Sequence, residues 1–216
     1  MKLYQYDHCP FCVRADMVAN YRQVRHEKVY LLNDDEQTCL TLIGTKMVPI
    51  LQFDDGSAMG ESLDIVRELD RLGPPERPLM PGTEQPAAIL AAFEAAHLAI
   101  SCLLFPRNIA LDLPEFATTA ARDYFRHKKE ARIGRSFEQA LQETARHQAC
   151  VEQMLSSLPA LPATMEGRLG LDDVLVYPTL RNLSMVRDLQ MPGSIQAYLE
   201  RIAALTGTHT YFDRAL

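Results

Sequence analysis

The stretch YDHCPFCVRADM, Tyr6 to Met17, sets two cysteines two residues apart at the start of a helix. Phe11, Val13, Met17 and Val18 recur at helical spacing, and Pro10 suits a first-turn position because its missing N–H would go unpaired there. Such a pair can clamp a metal, staple the chain or exchange electrons. A zinc site normally needs four ligands. Cys39, Cys102 and Cys150 stand alone, and the six histidines form no ligand ladder on one helix, so no metal site is expected. Each of those three cysteines reads as a small buried hydrophobe. A disulfide between Cys9 and Cys12 would close a tiny loop and restrain the unfolded chain little. What remains is a dithiol that cycles.

Working outward, Lys2 to Tyr6 alternates apolar and polar residues as a strand does, and Glu27 to Leu32 reads as a second strand. Asp34 to Gly44 forms a short helix with acidic residues at its positive end and a glycine stop. Met47 to Phe53 and Ser57 to Met59 are paired strands joined by the hairpin signal Asp54 to Ser57, and a third helix runs from Glu61 to about Leu72. The order strand, helix, strand, helix, strand, strand, helix is an α/β unit whose first crossover makes a parallel pair. A Cys-x-x-Cys beside that pattern reads as thioredoxin-like. Prolines and glycines crowd Gly73 to Pro86, a semi-rigid linker. Beyond it the chain is all-helical: an alanine-rich helical stretch through "AAILAAFEAAHLAISCLL", amphipathic segments through "EFATTAARDYFRHKKEA" and "SFEQALQETARHQACVEQMLSSL", then Gly170 to Val186 and Ser194 to Leu205. The expected division is 1–72 as a thioredoxin-like domain, 73–86 as linker and 87–216 as a helical domain.

Hydrophobic residues make up 47% of the 216 and charged residues 23%, which excludes a disordered or fibrous chain. A net charge of -6 gives no field for a polyanion, and the basic run Arg126 to Arg132 carries its own glutamate, so it reads as a solvated helix face rather than a nucleic-acid site. No apolar run approaches the roughly 18 residues that cross a bilayer. The N-terminus lacks a secretory pattern, and five thinly spread cysteines suit a reducing compartment. A cytoplasmic protein without nucleic-acid or membrane partners is expected.

At Cys9 the unpaired N–H groups and positive end of the helix dipole stabilise an anion, while Cys12 lies one turn further in. Cys9 is therefore the expected thiolate. Lowering a thiol pKa to about 5 raises its thiolate fraction at pH 7 some thirtyfold, but a Brønsted slope of about 0.45 removes a similar factor of nucleophilicity. The surviving gain is in leaving, which suits turnover of a mixed disulfide. His8 reads as a neutral, solvent-facing residue beside Asp7, with no catalytic role.

Cys9-Pro10-Phe11-Cys12 resembles the Cys-Pro-Tyr-Cys of glutaredoxins. "MVPI" at Met47 to Ile50 and "GES" at Gly60 to Ser62 are similar, in order and spacing, to the Val-Pro step and the Glu-Ser or Gln-Ser pair of thioredoxin-fold glutathione binders. With the linker and helical half, the whole chain resembles the two-domain, glutathione-transferase-shaped bacterial glutaredoxins of the glutaredoxin 2 type. That resemblance implies a glutathione-dependent disulfide oxidoreductase and a monomer. Cys9 and Cys12 would be catalytic, with protein disulfides or glutathionylated proteins as partners. It also implies a glutathione site at Pro10, Phe11, Val48, Pro49, Glu61 and Ser62, with Val48-Pro49 cis and the Val48 backbone pairing with the cysteinyl part. Ser62 would take the γ-glutamyl carboxylate at a helix N-terminus and Glu61 the ammonium. Capping of the third helix by Glu61, Ser62 and Asp64 is the plainer alternative.

Two departures stand out. Phe11 replaces tyrosine, losing a phenol but not a ring. "GLDD" at Gly170 to Asp173 keeps the aspartate of a capping box and puts glycine at the cap. No motif fixes a lysine for the glycine carboxylate. A cysteine-type glutathione transferase is the alternative reading, and those usually lack the second cysteine. A non-enzymatic module of transferase-like shape is a third.

Overall fold

The structure, a computed structural model, describes residues 1–162 and 167–216. Strand β1 (Lys2–Gln5) leads into helix α1 (Pro10–Tyr21), which crosses to β2 (Glu27–Tyr30), parallel to β1 with Lys2 opposite Glu27. Helix α2 (Glu36–Ile43) follows, with Asp35 as N-cap accepting from the Thr38 N–H and Gly44 closing it in the left-handed conformation at φ 73°. Strands β3 (Ile50–Gln52) and β4 (Ala58–Met59) form the hairpin, and α3 (Ser62–Leu72) ends the unit. The sheet order is β2-β1-β3-β4, with β3 antiparallel to both neighbours.

The period-two pattern divides the sheet residues between two layers. Leu3 and Leu51 join α1 and α3 in one core; Tyr4, Val29 and Ile50 face a smaller cluster with Cys39, Leu42 and Ile43 of α2. Because β2 is an edge strand, it stays mostly exposed.

The helical half comprises α4 (Pro86–Ala95), α5 (His97–Ala110), α6 (Thr119–Ile133), α7 (Phe137–Gln142), α8 (Thr144–Ser156), α9 (Leu171–Leu183) and α10 (Gly193–Thr206), with a 3-10 turn at Pro114–Phe116 between α5 and α6. The alanine-rich segment is helical as two helices, bent by 72° at Ala96. Alanine permits either course, and packing decides: α4 lies against α9 while α5 lies against α6, α7 and α8. The "SFEQALQETARHQACVEQMLSSL" segment likewise breaks at Glu143, between α7 and α8. Among the described residues no single helix is long and apolar enough to cross a membrane.

Helix α9 is central, packing on α1, α4, α5 and α10, and one continuous core joins the sheet layer of Leu3 to Val174, Tyr177 and Leu180 of α9. The segment between α3 and α4 is pinned from both sides. Arg22, at the C-cap of α1, donates to the Asp70 and Pro74 carbonyls, Met80 bridges to Leu169 and Leu171, and Thr83 bonds the Asp172 carboxylate. At the start of α9 the Gly170 N–H donates to Asp173 at 2.9 Å, but glycine has no side chain to return the bond, so half the capping box survives.

Candidate active site

Cys9 is the N-cap of α1, in extended backbone, with Pro10 at the first helical position and no side-chain cap. The first-turn N–H groups are thus free to face its sulfur. Cys12, one turn in, is 1% exposed and accepts from the Tyr6 N–H at 3.4 Å. The Cys9 thiol is lowered from about 9 to about 6, first by a hydrogen bond from the Cys12 thiol and, against the opposing effect of burial, by the charge of His8 and the N–H groups of Cys12 and Phe11. Burial, followed by the Cys9 sulfur itself, pushes Cys12 well above the ordinary thiol range. One sulfur is therefore a thiolate at neutral pH and the other its proton-bearing donor. The Cys12 thiol lowers Cys9 more than either helix N–H group does singly.

Phe11 is 51% exposed, and the Arg14 guanidinium stacks 4.9 Å from its ring centre. Arg14 and, from α6, Lys129 both sense the Cys9 charge; Lys129 lies over Phe105 and Phe125 rather than in open solvent. Elsewhere in the basic run Arg126 pairs with Glu130 and Glu138, and Lys128 with Glu36. All five cysteines are free; Cys39 and Cys102 are buried as expected, whereas Cys150 is exposed on α8.

His8 departs from its expected solvent-facing state. It is 9% exposed, boxed by Tyr6, Phe116 and Phe125 with ring centres 5.0 to 5.8 Å away, and its Nδ1 lies 2.5 Å from Glu115. Polar side chains of the helical half hold this loop. Arg181 of α9 donates to the Asp7 carbonyl and carboxylate, both at 2.7 Å; Asn182 donates to the His8 carbonyl at 2.6 Å; and Glu115 accepts the His8 N–H at 3.0 Å. Burial would raise the Asp7 carboxyl, but bonds from His209 and Tyr211 and the Arg181 charge hold it far below the usual carboxylate range. These partners are 107 and 174 residues from the loop, beyond any local sequence signal.

The Val48-Pro49 peptide is cis. Val48 and Cys9 border the same small cluster of Tyr6, Leu31, Cys39 and Ile50, and among the described residues the Val48 backbone makes no hydrogen bond. Gly60 lies against Met47, so close that a Cβ there would stand 3.2 Å from the Met47 sulfur, which brings the next two residues toward the Val48 loop. Glu61, at φ 64°, is the N-cap of α3 but accepts no capping bond, and Asp64 pairs with Arg67. Side-chain capping therefore does not account for these residues. Ser62 is buried at the first helical position, leaving an uncapped helix N-terminus, a natural anion site. Lys46 donates to the Tyr6 hydroxyl at 2.8 Å and the Asp35 carbonyl at 2.6 Å. Among the described residues no group of three or more His, Cys, Asp or Glu could hold a metal ion.

Residues 88–215 match the family model for the glutaredoxin 2 C-terminal domain, and residues 3–77 that for the glutathione S-transferase N-terminal domain. The chain belongs to the glutaredoxin 2 family. It is 38% identical to glutaredoxin 2 of Escherichia coli K12 over 95% of each chain. The solved structure of Salmonella typhimurium glutaredoxin 2 in complex with glutathione superposes with a TM-score of 0.89 at 38% identity, covering 100% of this chain and 98% of that one. A glutathione transferase of Phanerochaete chrysosporium, with a TM-score of 0.64 at 15% identity over 94% of this chain and 96% of its own, shares the fold. The architecture is a thioredoxin-type unit with a helical C-terminal domain, as in other glutaredoxin 2 proteins.

Proposed function

We propose that the chain is a glutathione-dependent disulfide oxidoreductase working through Cys9 and Cys12. The observation that carries this reading is the unequal pair: Cys9 at the N-cap of α1, its thiol lowered to about 6, with Cys12 buried one turn further in and pushed up. The Cys9 thiolate attacks a glutathionylated protein at the glutathione sulfur, forming a Cys9-glutathione disulfide and expelling the protein thiolate, which takes a proton from solvent. A second glutathione thiolate attacks the glutathionyl sulfur and expels Cys9, yielding glutathione disulfide. With a protein disulfide, Cys9 forms the mixed disulfide and Cys12 resolves it; two glutathiones then reduce the Cys9–Cys12 bond. A sulfur with its pKa near 6 departs readily in either route.

In this proposal Val48 pairs its free backbone with the cysteinyl part of glutathione beside Pro49. Ser62 takes the γ-glutamyl carboxylate at the uncapped start of α3, Glu61 takes the ammonium, and Pro10 and Phe11 wall the sulfur. The complex of the Salmonella relative with glutathione supports this ligand. We further read 1–72 as the thioredoxin-like unit, 73–86 as linker and 87–216 as the helical unit, acting as a monomer in the cytoplasm on protein partners; the five free thiols support a reducing compartment. Replacing Cys9 by serine is expected to abolish reduction of a glutathione mixed disulfide, and Cys12→Ser to retain it while losing dithiol reduction of a protein disulfide. Turnover by the Cys9→Ser protein would overturn the mechanism.

A further inference from the structure

One group on the catalytic loop is not used by the mechanism above. Glu115, in the 3-10 turn Pro114–Phe116, is 0% exposed and accepts both the His8 N–H and the His8 ring through a single oxygen, Oε1. Its other oxygen, Oε2, is buried with no hydrogen-bond partner. Among the described residues no lysine or arginine pairs with it, and the His8 ring is the one basic side chain that does. A buried carboxylate requires a compensating charge. The aromatic box of Tyr6, Phe116 and Phe125 leaves the ring little freedom to turn away.

We propose that Glu115 is a positioning residue for the reactive thiol: it holds the His8 ring with its proton on Nδ1 and favours the imidazolium beside Cys9, so the thiolate's counter-charge is set from the helical half. This rests on the reading of Cys9 as the attacking thiolate. Carboxylate and imidazolium then act on the two sulfurs with opposite sign. The charge on His8 lowers Cys9, while the charge on Glu115 raises Cys12. The other groups that sense Cys9 are Tyr6 just after β1, Cys12 and Arg14 from α1, and Lys129 from α6. Because Arg14 and Lys129 remain, loss of Glu115 weakens the thiolate without abolishing it.

The sign of the response separates this role from plain electrostatics. Glu115→Gln keeps size and an acceptor oxygen but removes the charge. Acting through space alone, losing a negative charge would lower the Cys9 midpoint; acting through His8, it raises the midpoint. The readout is the pH profile of iodoacetamide alkylation of Cys9 in the reduced full-length protein, with the modified residue located by mass spectrometry. In Glu115→Gln the midpoint is expected to move up, with the rate at pH 5 falling about three- to tenfold. Glu115→Asp is expected to restore most of that rate, and Glu115→Gln in a His8→Asn protein to add no further upward shift. An unchanged or lowered midpoint, or the same rise without His8, overturns the proposal. Ring 15N shifts of His8 in the unaltered reduced protein test it without any substitution: a protonated Nδ1 on a charged ring while Cys9 is ionised supports it, and a bare Nδ1 or a neutral ring overturns it. Alkylation requires no glutathione, so these results stand apart from a failure of mixed-disulfide turnover.

Discussion

Removing the Cys12 thiol tests the balance of the two sulfurs most directly. Its hydrogen bond is the largest influence holding Cys9 at about 6 instead of about 9. A hydrogen bond to a charged group contributes about 1.5–3 kcal/mol, and one pKa unit corresponds to about 1.4 kcal/mol, so Cys12→Ala should raise Cys9 by about one to two units, to roughly 7–8. The thiolate fraction at pH 7 then falls from about 0.9 to between about 0.5 and 0.1, while a Brønsted slope of about 0.45 returns a three- to eightfold gain in nucleophilicity. Attack at pH 7 therefore changes by less than about twofold, whereas attack at pH 5 falls about three- to tenfold. Cys12→Ser keeps a hydroxyl donor and should shift the midpoint less. The assay is alkylation rate against pH for the reduced proteins, with Cys9 modification followed by mass. A Cys12→Ala midpoint still near 6 would refute the reasoning, and would assign the thiolate to the helix terminus and the surrounding cations instead.

Arg181→Met should cost about 3–5 kcal/mol in urea unfolding, because it leaves the Asp7 carboxylate buried without its main cation; a loss below about 1 kcal/mol would contradict the pairing. Asp173 is raised to about 6, chiefly by burial. With its folded pKa above the unfolded value near 3.9, Asp173 costs nothing below that pH and progressively destabilises the fold as pH rises to 6 and beyond, by about 3 kcal/mol at most. Asp173→Asn should flatten the stability curve between pH 4 and 6, and an unchanged slope would count against it. Glu61→Gly relieves a positive φ at a non-glycine residue and should raise stability by about 1 kcal/mol, while KM for glutathione increases; a lower KM would remove Glu61 from the proposed binding site.

The parts of this molecule that were legible in the sequence are those whose causes are local. The cysteine pair and Pro10, the glycine stop at Gly44 and the Asp54 to Ser57 hairpin each depend on a few adjacent residues. Helix breaks at Ala96 and Glu143 were not legible, because the apolar spacing continues through them and only the competing packing surfaces on either side decide the bend. The state of His8 is hidden from the sequence for a related reason. Beside Asp7 it looks like a polar loop residue, yet Glu115, Phe116 and Phe125 bury it from more than 100 positions away. Glu115, Arg181 and Asn182 carry no spacing or motif of their own, so the groups that hold the loop emerge only with the fold.

The clamp of α9 on the Asp7 and His8 carbonyls bears on how such a chain can be recombined. Were the helical half exchanged at the linker for that of a distant transferase of the same shape, the sheet and cysteines would be inherited intact while the donors at positions 181 and 182 and the acceptor at 115 would not. The Asp7 and His8 carbonyls would then lose their α9 donors, and the His8 amide, bonded here to Glu115, would exchange with solvent through small local fluctuations. The cysteine loop and the helical scaffold thus form a linked pair, since the loop depends on side chains that the helical half alone supplies.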